Sequence, residues 1–342
     1  MFLDFDLPDD LIAQSPAEPR DRSRLMVLDR ARGTIEHRVF ADLPVLLDPR
    51  DVLARNDTRV VPARLLGHRE ATGGRWEGLF LRELPDGAWE ILSRTRGRPA
   101  IGERVLVGNG LPLTLESRGE SGSWIVRPVE EAGKTGALAL LELHGQTPLP
   151  PYIRGGREGE GDRSSYQTIY ARRPGSAAAP TAGLHFTPRL LDRLADRGIA
   201  FVDLTLHVGP GTFRPITADR IEDHVMHSEW AELSAEAVDR LRERRAGGGR
   251  IVAVGTTSAR TLESAATSGT LQPFAGETRL FIRPGHVFRG LDALITNFHL
   301  PRSSLLVLVA ALAGEELVRE AYAEAIRLRY RFYSYGDAML IL

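Results

Sequence analysis

Phe201-Val202-Asp203-Leu204-Thr205-Leu206 is an apolar run that breaks into His207-Val208-Gly209-Pro210-Gly211-Thr212-Phe213. The same grammar returns twice. Arg250-Ile251-Val252-Ala253-Val254 runs into Gly255-Thr256-Thr257-Ser258, and Leu291-Asp292-Ala293-Leu294-Ile295 runs into Thr296-Asn297-Phe298-His299-Leu300-Pro301. A short apolar run, a polar cluster and then a helix is the pattern of parallel strands feeding helices. Such strands gather their carboxyl-end clusters at one end of a sheet or barrel, where α/β enzymes keep their active sites.

Outward from this core, Thr187-Pro188 predicts a capped helix start with proline at its first position, and Gly198 its stop. Helices are expected near 235–245, from Ser258, from Ser303 and from Glu315 to about Tyr330. A further strand is expected at 279–283, and a closing one at 338–342. Toward the amino end, residues 24–40 read as a hairpin around Arg30-Ala31-Arg32-Gly33. Asp51 to Arg55 reads as a strand ending in Asn56-Asp57-Thr58. Between about 60 and 147 the texture changes to short β-rich runs separated by turns such as Pro85-Asp86-Gly87 and Gly108-Asn109-Gly110, without helical periods. The expected organisation is an α/β main domain from 1–59 and 148–342, interrupted by a small β domain at 60–147. The Pro-, Gly- and Arg-rich stretch 148–180 reads as a long loop, functional or mobile.

Composition bounds the partners. A chain of 342 residues with 42% hydrophobic and 26% charged residues can bury a sizeable core. No apolar run reaches membrane-spanning length; Leu305–Ala313 is better read as a buried helix. Asp4, Asp6, Asp9 and Asp10 give the amino end the wrong charge for a signal peptide, and with no cysteine a cytoplasmic location is expected. A net charge of −1 gives no global basic field, and Lys134 is the only lysine. The arginine cluster Arg154, Arg157, Arg163, Arg172 and Arg173 suits either phosphates or a solvated face.

Several motifs carry chemistry with alternatives open. His224-Val225-Met226-His227-Ser228-Glu229 places two histidines three apart near a carboxylate. They suit a metal, a structural role or proton transfer, and the H-E-x-x-H order is absent. His207 to Thr212 is a glycine-rich turn lacking the G-x-G-x-x-G spacing, so a dinucleotide site is not expected. Gly255-Thr256-Thr257-Ser258, with Arg260 and Glu263 after it, begins a helix whose free N–H groups suit an anion or carboxylate. Ser258 as a plain N-cap is the alternative. No G-x-S-x-G elbow and no Walker A loop is present.

Taken in order, these segments resemble the S-adenosylmethionine:tRNA ribosyltransferase-isomerase family of queuosine biosynthesis. The match includes Asp9 to Gln14, Asn56-Asp57-Thr58-Arg59-Val60-Val61-Pro62, Pro148 to Ile153, and Ala179-Pro180-Thr181-Ala182-Gly183-Leu184-His185-Phe186. It continues with Thr205 to Phe213, His224 to Glu229, Gly255-Thr256-Thr257, Thr296 to Pro301 and Tyr330 to Met339. The resemblance implies a distorted α/β-barrel-like main domain with an inserted small antiparallel β-barrel. It implies transfer and isomerisation of the ribosyl moiety of S-adenosylmethionine onto 7-aminomethyl-7-deazaguanine at the tRNA wobble position. Epoxyqueuosine results, and adenine and methionine leave. S-adenosylmethionine would be a consumed cosubstrate, with no cofactor and no metal. The partner would be a tRNA with a GUN anticodon. No membrane and no obligate protein partner are expected, only a monomer or weak dimer.

Within these motifs the expected catalytic residues are His224, His227, Glu229, Asp57 and His207. Asn56, Thr181, His185, Gly209, Gly211, Thr256, Thr257, Arg260, Asn297, His299, Arg331 and Asp337 are expected to bind substrate. Arg154, Arg172 and Arg173 are expected to meet RNA. The rival classes are a metal-dependent hydrolase using His224 and His227, and an RNA-binding module without catalysis.

Overall fold

The structure, a computed structural model, describes residues 4–119, 122–129, 136–209, 216 and 220–342. In chain order the strands are β1 (Arg24–Asp29), β2 (Thr34–Val39), β3 (Val52–Asn56), β4 (Thr58–Val60), β5 (Arg64–Arg69), β6 (Arg75–Glu83), β7 (Trp89–Thr95), β8 (Arg104–Val107) and β9 (Leu111–Arg118). They continue as β10 (Ser123–Pro128), β11 (Arg173–Ser176), β12 (Ala200–Leu206), β13 (Glu229–Leu233), β14 (Ile251–Val254), β15 (Phe274–Thr278), β16 (Ala293–Asn297) and β17 (Ala338–Ile341). The helices are α1 (Leu43–Leu46), α2 (Ala137–His144), α3 (Asp162–Ser165), α4 (Pro188–Asp196), α5 (Ala235–Ala246), α6 (Thr256–Ala265), α7 (Ser304–Ala313) and α8 (Glu315–Arg327). No described helix is long and apolar enough to cross a membrane.

The chain divides into two compact units. The first comprises 1–59, 167–173 and 179–342; the second comprises 60–166 and 174–178. The second boundary therefore falls later than position 147. Residues 148–166 belong with the barrel, where Arg64 donates to the Gly156 carbonyl and Thr147 to Glu158. This stretch is also not a featureless loop, since it carries α3 and a 3-10 turn at Arg154–Gly156.

Among the described residues, the first unit is built on a nine-stranded mixed sheet in the order β15-β13-β12-β3-β14-β16-β17-β1-β2. Its centre, β12-β3-β14-β16, is parallel, with Leu204 opposite Asn56, Val254 opposite Arg55, and Val254 opposite Ile295. Strands buried on both faces are continuous apolar runs, which is why β14 and β16 contain no exposed residue. One face packs Leu53, Val252, Val254 and Ile295 against Phe40, Leu43, Phe186, Leu190 and Leu194. Helix α4 begins as its sequence predicts, because the Thr187 hydroxyl accepts from the Leu190 N–H at 3.2 Å.

The strand expected at 279–283 lies instead at 274–278. Its partner β13 begins at Glu229, which stands opposite Thr278, so the ladder has no further residue to pair with Leu280 or Phe281. The second unit is a closed six-stranded antiparallel barrel, β10-β7-β6-β5-β8-β9, filled by Trp76, Trp89, Trp124, Ile91, Val105 and Leu113. Inward and outward residues alternate along β6 and β9, as period-2 strands require.

Asn56 holds the β3–β12 join beyond the last backbone pair. Its amide donates to the Leu206 carbonyl at 2.9 Å and accepts from the Leu206 and Thr58 N–H groups, both at 3.1 Å. Asn56→Ala strands three buried backbone groups and should destabilise the fold by about 3 kcal/mol or more. Urea unfolding checks this; a loss below roughly 0.5 kcal/mol would show that the side chain is dispensable to the join.

Candidate active site

The carboxyl ends of β12, β3, β14 and β16 fall side by side, as the parallel register requires. A narrow crevice with a cavity volume of about 30 Å³ lies at these ends. Its walls come from 179–182, Val208, Gly255-Thr256-Thr257, and Thr296, Asn297, His299 and Leu305. Among the described residues no charged side chain lines it; the polarity comes from hydroxyls, an amide, an imidazole and backbone. Thr181, Thr256, Thr257, Asn297 and His299 are thus brought together, as their motifs predict.

The polar groups behind the wall are locked into one network. The Asn297 amide donates to the Tyr333 carbonyl at 3.2 Å, which fixes the amide's orientation. Its second N–H points at His185 Nε2 at 3.1 Å, and its oxygen accepts from the Thr181 hydroxyl at 3.0 Å. An amide nitrogen can only donate, so His185 Nε2 accepts, and Nδ1–H donates to Ser23 Oγ at 2.8 Å. His185 also stacks on Phe40 at 4.8 Å. Burial, with Arg20 and Arg331 nearby, pushes His185 down to about 3. His299 is likewise pushed to about 3 by burial; its Nε2 meets the Thr296 hydroxyl at 2.7 Å and its backbone N–H donates to the Tyr322 hydroxyl. Both rings are therefore neutral near pH 7, and they shape the pocket rather than charge it.

An adjoining link runs from β13 to α6. Glu229 and Arg260 form an ion pair with each residue at most 4% exposed. The second Glu229 oxygen accepts from the Gly209 N–H at 3.0 Å, and Arg260 Nε donates to the Leu280 carbonyl at 3.2 Å. Breaking such a buried pair from one side typically costs about 3–5 kcal/mol. Asp57 is similarly engaged: it accepts from the Thr205 hydroxyl at 2.7 Å and from Arg172 at 3.2 Å. His207 bonds the Thr58 hydroxyl at 2.8 Å and stacks on Trp230 at 5.5 Å. Burial, reinforced by Arg173, lowers its pKa below the ordinary value.

The remaining expected residues sit differently. His224 to Ser228 is not helical, so His224 and His227 do not share a helix face. Among the described residues, no group of three His, Cys, Asp or Glu side chains is placed to hold one metal ion. His224 packs edge-on against Phe281 at 5.3 Å, and burial and then His227 lower its pKa. Asp337 is a hub: its carboxylate accepts from the Arg24 and Arg331 N–H groups at 2.9 and 2.8 Å. The Arg331 guanidinium reaches the Ser15 carbonyl. Neither lines the crevice. Gly211 lies outside the described residues. The three arginines are each tied to carboxylates: Arg154 to Asp162, Arg172 to Asp57 and Asp203, and Arg173 to Glu232.

Two further features escape a motif search. Ser258 is not the N-cap of α6; its hydroxyl turns back to the Val254 carbonyl at 2.8 Å. The N-cap is Gly255, with φ 90° and ψ 156°, a region essentially reserved for glycine. Only its place directly after an apolar run hints at this. Tyr322, which supports His299, comes from a helix whose aromatics read as plain core.

Fold and lining together define a class: an α/β protein with a barrel insert and a narrow, polar-lined crevice at its parallel strand ends. The chain belongs to the queuosine biosynthesis protein family, whose profile matches residues 2–341. It is 54% identical over 347 residues to an S-adenosylmethionine:tRNA ribosyltransferase-isomerase from Symbiobacterium thermophilum, covering 99% of this chain and 98% of that protein. It is 50% identical over 341 residues to one from Pelobacter propionicus, with the same coverage. A crystal structure of an S-adenosylmethionine tRNA ribosyltransferase from Thermotoga maritima is 38% identical, superposes with a TM-score of 0.58 and covers 100% of both chains.

The neutral histidines give a pH prediction. Each folded pKa, near 3, lies below the ordinary 6.5, so the unfolded chain binds more protons between these values. Stability is therefore fully present above about pH 6.5 and lost as pH falls toward 3. His299→Gln should reduce this slope by about one proton. An unchanged slope in urea titrations across this range would contradict the assignment.

Proposed function

We propose that this chain transfers the ribosyl moiety of S-adenosylmethionine to 7-aminomethyl-7-deazaguanine at the wobble position of a tRNA with a GUN anticodon, and isomerises it. Epoxyqueuosine forms, and adenine and methionine leave. The observation that carries this reading is the end-to-end similarity, which takes in every strand-end segment around the crevice. S-adenosylmethionine is a consumed cosubstrate in this scheme.

The sulfonium acidifies the adjacent C5′ hydrogens, so a base must take one proton, and the attacking amine must be unprotonated. His224 is our preferred proton acceptor: its lowered pKa keeps it neutral near pH 7, and its half-buried ring is not held in an ion pair. Glu229, favoured equally by sequence, already gives both oxygens to Gly209 and Arg260. Taking a proton would require releasing one of them, so we assign it a positioning role for the 207–209 turn. His227 is exposed beside His224 and is proposed to contact substrate. A wobble base must leave its stack to reach such a pocket.

Purified protein should release adenine from S-adenosylmethionine only when precursor tRNA is present, and absence of this release would refute the reading. His224→Ala and His227→Ala should each lower kcat by about 10²–10⁴-fold with the melting temperature unchanged. A variant that keeps near-normal turnover removes its residue from the mechanism.

For the RNA, Arg154, Arg172 and Arg173 are proposed phosphate contacts. Arg172, 65% exposed at its side chain, can turn from its carboxylates to a phosphate. Replacing all three with Ala should raise KM for tRNA and flatten its salt dependence by roughly 0.7 per lost contact. Unchanged tRNA kinetics would move the RNA site elsewhere.

A further inference from the structure

The amino end of α6 opens on the crevice with nothing among the described residues to satisfy it. Gly255 supplies no side-chain cap, and Ser258 spends its hydroxyl on the Val254 carbonyl. The Gly255 N–H is used, donating to the Ile295 carbonyl at 2.8 Å, and the first intrahelical bond runs from Ala259 to Gly255. The N–H groups of Thr256, Thr257 and Ser258 are thus the orphan donors of this helix, at the positive end of its dipole.

A second observation stands apart from the helix end. Thr257 is only 8% exposed, lines the crevice, and its hydroxyl has no hydrogen-bond partner among the described residues. A buried hydroxyl without a partner costs about 1–3 kcal/mol, so its retention wants a reason. A Cβ on Gly255 would lie 3.6 Å from this oxygen and 3.6 Å from the Ala182 methyl. Gly255, Ala182 and Thr257 all line the crevice. The hydroxyl therefore faces the space that a side chain at 255 would fill, and the glycine leaves it open.

We propose that the Thr257 hydroxyl and the first-turn N–H groups of α6 form the subsite for the methionyl carboxylate of S-adenosylmethionine. The assignment rests on the function proposed above and adds which group of the cosubstrate enters here. An uncapped helix start binds a small anion without any arginine or lysine, and none of the described residues lining this crevice is either. A phosphodiester continues into chain on both sides and brings a bulky ribose with it. A carboxylate ends the methionyl chain and can enter a narrow crevice end-on. Asn297, His185 and His299 then form the neutral wall that holds Thr181 and the strand ends in place.

The test uses the full-length protein, precursor tRNA, S-adenosylmethionine and its decarboxylated analogue as a competitor. Thr257→Val keeps shape and removes only the hydroxyl, so its melting temperature should equal or exceed that of the parent. Its KM for S-adenosylmethionine should rise roughly tenfold to a hundredfold, the size of a lost hydrogen bond to a charged group. The Ki of the decarboxylated analogue should stay the same in both proteins, and Thr257→Ser should restore the parent KM. An unchanged KM in a folded Thr257→Val protein, or equal losses for cosubstrate and analogue, would overturn the subsite while leaving the reaction intact. If the parent protein itself releases no adenine, the proposed function fails first.

Discussion

Parallel register is the constraint on which the site depends. β12, β3, β14 and β16 run the same way and end within a residue or two of each other, so four separate polar clusters open on one rim. Asn56 extends the β3–β12 join past the last backbone pair by standing in for backbone on β12. The Gly255 N–H does the same between β14 and β16 through the Ile295 carbonyl. A slip of one residue would reverse every side chain of a strand and turn its apolar set away from the packed face.

The buried polar groups around this rim are of two kinds. Most are saturated: Asn297 uses both donors and its oxygen, His185 both ring nitrogens, and Glu229 both oxygens. Saturated networks rigidify a site and specify one arrangement. The other kind is unsatisfied: the first-turn N–H groups of α6 and the Thr257 hydroxyl, and beside them one Arg260 nitrogen. The contrast separates residues that build the pocket from those that remain for a ligand. It also shifts weight among the candidates, since Asp57, Glu229 and Asp337 are held by partners while His224 is not in an ion pair.

Much of the fold was legible in the chain. Apolar runs of strand length followed by capped helices forecast the α/β unit, and short β-rich runs between turns forecast a small β domain, because burial periodicity is a local property; that it closes as a barrel was implied by the resemblance. The misreadings arose where partners decide. Leu280-Phe281-Ile282 looks like a strand, yet β13 begins too late to pair with it. Ser258 looks like an N-cap, yet the turn begins at Gly255. Local sequence also gives no sign that Arg154, Arg172 and Arg173, read as RNA contacts, each have a carboxylate beside them that lies from 8 to 115 positions away.

By itself, then, the sequence determined which segments become strands and helices and which polar residues stand at their ends, since these follow from periodicity and turn chemistry. Tertiary structure decided which of those residues are free. Whether Asp57 meets Arg172, Glu229 meets Arg260 or Thr257 meets nothing depends on where distant segments come to rest. A hydrogen bond formed or left unmade there is a property of the packed pair, and no single stretch of chain encodes it.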